Sequence, residues 1–74
     1  MDDKNLLVIF GLNLKYERIK LKLSQETVAG ELNFSTAYVS NVESGKHGQI
    51  SLINAYKFAK FYNKTLDYLL TEKS

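Results

Sequence analysis

Thr36, Ala37, Ser40 and Asn41 are spaced to share one face of a helix, with Val39 and Val42 on the opposite face. An asparagine amide pairs at two points with an adenine edge. Serine and threonine hydroxyls bond several base edges, and an alanine methyl touches the methyl of thymine. No arginine, the commonest partner of guanine, joins them. The set therefore suits A·T-containing steps, or reading through shape and water. Other chemistries find few groups in the 74 residues. There is no cysteine, which excludes disulfides and thiolate metal sites. The single histidine, His47, has no second ligand at a metal-like spacing. No nucleophile elbow or histidine–carboxylate pairing is present. We expect no enzyme, no metal, no cofactor and no small-molecule ligand.

The elements that must hold these four residues are written in the stretch Ser24–Lys46, SQETVAGELNFSTAYVSNVESGK. Ser24 caps one short helix with Val28, Ala29 and Leu32 on its apolar side, and Ser35 caps the next. Asn33, which tolerates the left-handed backbone of a sharp helix exit, separates them. Two capped helices joined by a tight turn have helix-turn-helix geometry, which seats the second helix in the major groove of DNA. Periodicity predicts helices over 4–22, 25–32, 36–44, 52–62 and 66–70, and no strand. Asp2 or Asp3 caps the first, whose stripe carries Leu7, Phe10, Leu14 and Leu21. Gly11 leaves room there for another helix. Gly45 stops the third helix, and Ser51 caps the fourth. Core positions in the fourth are Leu52, Ala55, Phe58, Ala59 and Tyr62. Asn63 ends it and Thr65 caps the fifth. The expected architecture is an all-α bundle forming one domain over 1–74, with the motif at 24–45 and a frayed tail at 71–74.

A net charge of +2 permits nucleic-acid binding without arguing for it. The distribution says more. Lys15, Arg18, Lys20 and Lys22 precede the motif, Lys46 and His47 follow it, and Lys57, Lys60 and Lys64 recur at helical spacing. The apolar run Leu6–Phe10 is too short to span a membrane and lacks a cleavage site after it, so a cytoplasmic location is expected.

Several fragments together resemble the Cro/C1-type, or Xre-type, helix-turn-helix family. Phe10-Gly11 with Leu14 and Arg18 is similar to the family's first helix. Ser24-Gln25-Glu26-Thr27-Val28-Ala29 resembles its S-Q-E-x-L-A signature, and Tyr38-Val39-Ser40-x-Val42-Glu43-x-Gly45 its Y-I-S-x-x-E-x-G signature. Ser51-Leu52 and Leu66-Asp67-Tyr68-Leu69-Leu70 resemble its closing helices. The resemblance covers about residues 10–70. It is nearest to compact forms such as phage Cro-like repressors and restriction–modification controllers. The chain departs from the pattern with Asn33 where glycine is common. It also carries Thr36-Ala37 where controllers often have a basic residue.

The resemblance implies a compact five-helix, lambda-repressor-like DNA-binding domain with the helix-turn-helix at helices 2 and 3. It implies a regulator of transcription, most readily a repressor or autoregulator of double-stranded DNA. Residues 36, 37, 40 and 41 would read bases. Gln25, Tyr38, Lys46 and Arg18 would contact phosphates, and Arg18 and Glu43 would form a structural ion pair between the first and third helices. Apolar residues in excess of the core pattern, Ile53, Tyr56, Phe61 and Tyr68, suggest a homodimer through Phe61, Tyr62, Lys64 and Tyr68. Two copies would place recognition helices about 34 Å apart on a near-palindromic site. The alternative is an antitoxin-like module whose main partner is another protein.

Overall fold

Every helix after the first starts at a hydroxyl. Ser24, Ser35, Ser51 and Thr65 hold extended backbone and accept hydrogen bonds from the amides of Thr27, Tyr38, Asn54 and Tyr68, each at 3.0 Å. Each cap satisfies one of the amides that a helix start leaves without a partner. The structure is a computed structural model that describes residues 3–46 and 48–73. Asp2, His47 and Ser74 lie outside the described residues. The helices are α1 (Asp3–Lys20), α2 (Gln25–Leu32), α3 (Thr36–Glu43), α4 (Leu52–Tyr62) and α5 (Leu66–Leu69), with no strand among the described residues.

The helix ends share one device. Asn33, Gly45 and Asn63 all adopt positive φ, at 62°, 74° and 56°. The next residue then bonds back into the helix: Phe34 to the Ala29 carbonyl at 2.8 Å, Lys46 to Asn41 at 3.0 Å and Lys64 to Ala59 at 2.9 Å. The first helix differs from expectation. It ends at Lys20, and Lys22 takes the left-handed turn at φ 59°. The Leu23 amide returns to the Arg18 carbonyl at 3.1 Å. Neither glycine nor asparagine marks this stop, so local chemistry does not announce it.

α3 packs chiefly against α1 and α2, while α5 closes the bundle against α1 and α4. Phe10, Leu14, Val28, Ala29, Val39, Val42, Ala55, Phe58, Ala59, Tyr62 and Leu69 form the core. Burying a Phe or Leu side chain of this kind contributes ~1.5–3 kcal/mol. Two expected core residues are on the surface instead: Leu21 is 55% exposed, in the turn beyond α1, and Leu52 is 75% exposed at the start of α4. Both occupy element ends, where a periodic stripe runs past the neighbour it would pack on. Gly11 meets its expectation. A Cβ there would lie 2.7 Å from the Glu43 carbonyl oxygen and closer still to that of Val42, so α1 and α3 touch backbone to backbone.

Residues 71–73 make contacts back to the bundle. Asn13, buried on α1, donates from Nδ2 to the carbonyls of Leu69 at 2.7 Å and Thr71 at 3.0 Å. The Lys73 ammonium lies over the Tyr68 ring at 3.9 Å and donates to the Thr71 carbonyl at 2.7 Å.

Candidate nucleic-acid interface

The second helix of the motif has two unlike faces. Val39, Val42 and Glu43 are buried, while Thr36, Ala37, Ser40 and Asn41 are exposed. The four residues with base-edge chemistry therefore stand together on the outer side of α3. Ser44, just beyond, uses its hydroxyl internally, donating to the Asn41 carbonyl at 3.1 Å. Exposed polar side chains without interior partners are available to a ligand at no cost in core packing.

Around α3 stand the residues expected at phosphates. Gln25 opens α2 and is half-buried. Its Nε2 donates to Glu43 Oε1 at 3.0 Å. The amides of Gln25 and Glu26 belong to the first turn of α2, where backbone N–H groups face outward with partial positive charge. Lys46 is exposed in the loop after α3, directly beyond the left-handed Gly45. Tyr38 is half-buried. Its ring packs against Phe34 at a tilt of 49°, with 4.8 Å between centroids, and its hydroxyl accepts from Asn54 Nδ2 at 2.9 Å, joining α3 to α4.

Arg18 is expected both at a phosphate and in the ion pair. Its guanidinium turns inward, with a side chain only 13% exposed. Nε donates to Glu43 Oε2 at 2.8 Å and Nη2 to Oε1 at 3.0 Å, a bidentate ion pair. Nη1 donates to the Leu23 carbonyl at 2.9 Å. Three of its five N–H donors are thus spent on the protein. The hydrogen bonds to Glu43 hold its pKa above the ordinary arginine value.

The residues expected at a dimer contact separate. Tyr62 is buried, 6% exposed, and belongs to the core. It sits on the inward stripe of α4 with Ala55, Phe58 and Ala59. Phe61, Lys64 and Tyr68 are half-buried, and the Lys64 ammonium caps the Tyr68 ring at 4.7 Å. The apolar residues that reach solvent on α4 are Leu52, Ile53 and Tyr56, at 75%, 70% and 58% exposure. Beside them lies an apolar hollow of about 280 Å³ whose walls include Leu7, Phe10, Ile50, Leu52, Leu66 and Leu70. No polar groups converge there as they would in a catalytic pocket. Among the described residues no group of His, Cys, Asp or Glu is placed to hold a metal ion, and no helix is long and apolar enough to cross a membrane.

Around α3, two contacts escape a sequence reading: Gln25 with Glu43, and Tyr38 with Asn54. Their partners are 18 and 16 residues apart and carry no shared motif. Only the crossing of the helices brings them together.

Comparison with known proteins agrees with this geometry. The sequence pattern of the helix-turn-helix family matches residues 14–69. Among solved structures, the restriction-modification controller protein C.AhdI from Aeromonas hydrophila is similar, with a TM-score of 0.76 and 36% identity, covering 85% of this chain and 94% of that one. No curated protein matches the chain.

Proposed function

We propose that this chain, which belongs to the Cro/C1-type helix-turn-helix family of DNA-binding transcription regulators, represses transcription as a symmetric dimer on a near-palindromic operator. The observation that carries the reading is the division of α3. Its inner face is locked into the core, and its outer face offers Thr36, Ala37, Ser40 and Asn41 to a groove. Lys46 and the first turn of α2 flank it as phosphate grips. Asn41 reads adenine, and the small hydroxyl and methyl groups read neighbouring edges. Occupancy of a promoter-overlapping site is enough to block polymerase, so repression needs no further surface.

Size supports two copies. The longest dimension of one chain is 32 Å, and it carries one reading helix, whereas half-sites recur about every 34 Å. The exposed apolar group Leu52, Ile53 and Tyr56, with Leu52 also lining the hollow at Leu66 and Leu70, offers an apolar face for a second copy. The likeness to a restriction-modification controller protein supports a regulatory role.

Selection of bound duplexes from a random library, with purified protein at moderate salt, tests the reading. Enrichment of an inverted repeat with half-sites one helical turn apart is the expected result. Salt-sensitive binding without enrichment, or no binding, would instead favour the protein-partner, antitoxin-like alternative.

A further inference from the structure

We infer that Glu43 is a positioning residue for DNA binding: it holds the side chain of Gln25 ready for a phosphate and fixes that grip in register with the reading helix. The inference rests on the operator reading above and adds a role within it. The Glu43 carboxylate closes α3 and is almost fully enclosed, its side chain 3% exposed. It accepts from three donors. Arg18 Nε bonds Oε2 at 2.8 Å, and Arg18 Nη2 and Gln25 Nε2 both bond Oε1 at 3.0 Å. Arg18 also reaches the Leu23 carbonyl at 2.9 Å, in the segment that leads into α2. One buried carboxylate therefore joins α1, the entry to α2, the first residue of α2 and the end of α3.

The bond to Gln25 has a direction. An ionised carboxylate only accepts, so Gln25 must turn its NH2 group, not its carbonyl, toward Glu43. One N–H is taken up there. The second has no partner among the described residues, and it is a donor suited to a phosphate oxygen. A glutamine on a helix surface ordinarily loses its rotamer freedom when it binds. Here that freedom is given up on folding, before DNA arrives. The same oxygen that holds Gln25 belongs to the last residue of α3. A shift of α3 relative to α2 would therefore misplace the phosphate grip and the base-reading face together. The ion pair accordingly does more than join two helices: it sets the distance between backbone contact and sequence readout.

Two measurements test this on the full chain. The first is affinity for the selected operator duplex, with thermal melting alongside, for Gln25→Met, Glu43→Gln and the double variant. Gln25→Met keeps the stem and leaves the Arg18–Glu43 pair intact. Its affinity should fall about ten-fold, the loss of one hydrogen bond to a charged group. The salt dependence should keep its slope, because glutamine carries no charge and displaces no counterion. Glu43→Gln should lose at least as much in the parent background, and less in the Gln25→Met background than in the parent. Independent, additive losses would overturn the positioning role, leaving Glu43 a stability residue.

The second measurement does not depend on how Glu43→Gln folds. The chain has two glutamines, Gln25 and the exposed Gln49, so their side-chain amide resonances compare directly in the free protein. Gln25 should be ordered and Gln49 averaged; equal mobility would overturn the inference. A parent chain that binds no duplex would overturn the operator reading, and this role with it. A parent that binds while Gln25→Met binds equally well would overturn this role alone.

Discussion

Tyr62 carries the one buried side-chain oxygen without a hydrogen-bond partner among the described residues. Burial, and then the Glu43 charge, push its pKa above the ordinary tyrosine value. The unfolded chain ionises this phenol near pH 10 and the folded chain resists doing so. Its contribution is therefore complete below pH 10 and is lost as the pH climbs beyond it. Tyr62→Phe should stabilise the fold by ~1 kcal/mol at neutral pH, because it removes an unsatisfied hydroxyl while keeping the ring. It should also flatten the alkaline fall in melting temperature. A lower melting temperature at pH 7 would mean that the hydroxyl is bonded, for example to a buried water. Lys46 belongs to the same scale. As an exposed cation in the loop after α3, Lys46→Gln should weaken every duplex sequence alike and reduce the salt slope by ~1. Loss confined to one base position would assign it a reading role instead.

Between elements, the closest approach in the fold is that of α1 and α3 at Gly11. Gly11→Ala would press a methyl group against the carbonyls of Val42 and Glu43. Backbone cannot yield as a flexible side chain does, so the cost should be ~1–3 kcal/mol or more. Because α3 must move to relieve it, operator affinity should fall further than melting predicts; affinity that simply follows the folded fraction would contradict this. Element boundaries were the most legible part of the sequence. Hydroxyl caps and asparagine or glycine stops act within four or five residues, so Ser24, Asn33, Ser35, Gly45, Ser51, Asn63 and Thr65 announced themselves. Lys22 did not, since a lysine with positive φ has no local signature. The outer face of α3 followed from period alone. What the sequence withheld were contacts between distant positions. Asn13 and Glu17 are buried through partners on the last helix and beyond it, as in the Tyr68 hydroxyl donating to Glu17 Oε2 at 3.4 Å. Periodicity fitted Tyr62 to the core and, as an aromatic near the end of α4, to a partner surface as well; the width of the packed stripe decided for the core.

For the whole molecule, the proposed dimer would tie association to DNA binding through the apolar end of α4. Ile53 is 70% exposed and lies outside the core cluster. Ile53→Asp should therefore leave helix content and melting of the isolated chain nearly unchanged. Sedimentation should shift toward monomer by about ten- to a hundred-fold in the dimer constant, the effect of losing ~1.5–3 kcal/mol of apolar burial. Operator affinity should fall with it. An unchanged dimer would move the interface elsewhere. The division of α3 carries a different consequence, for descent rather than for binding. Thr36, Ala37, Ser40 and Asn41 are exposed, while the interior is filled by Val39, Val42 and Glu43. Substitutions at the four outer positions should therefore be nearly neutral for folding, within about 0.5 kcal/mol of one another. A lineage built on this scaffold could change its operator by point mutation without passing through an unfolded ancestor. Paralogous copies in one cell could diverge in address while remaining the same object.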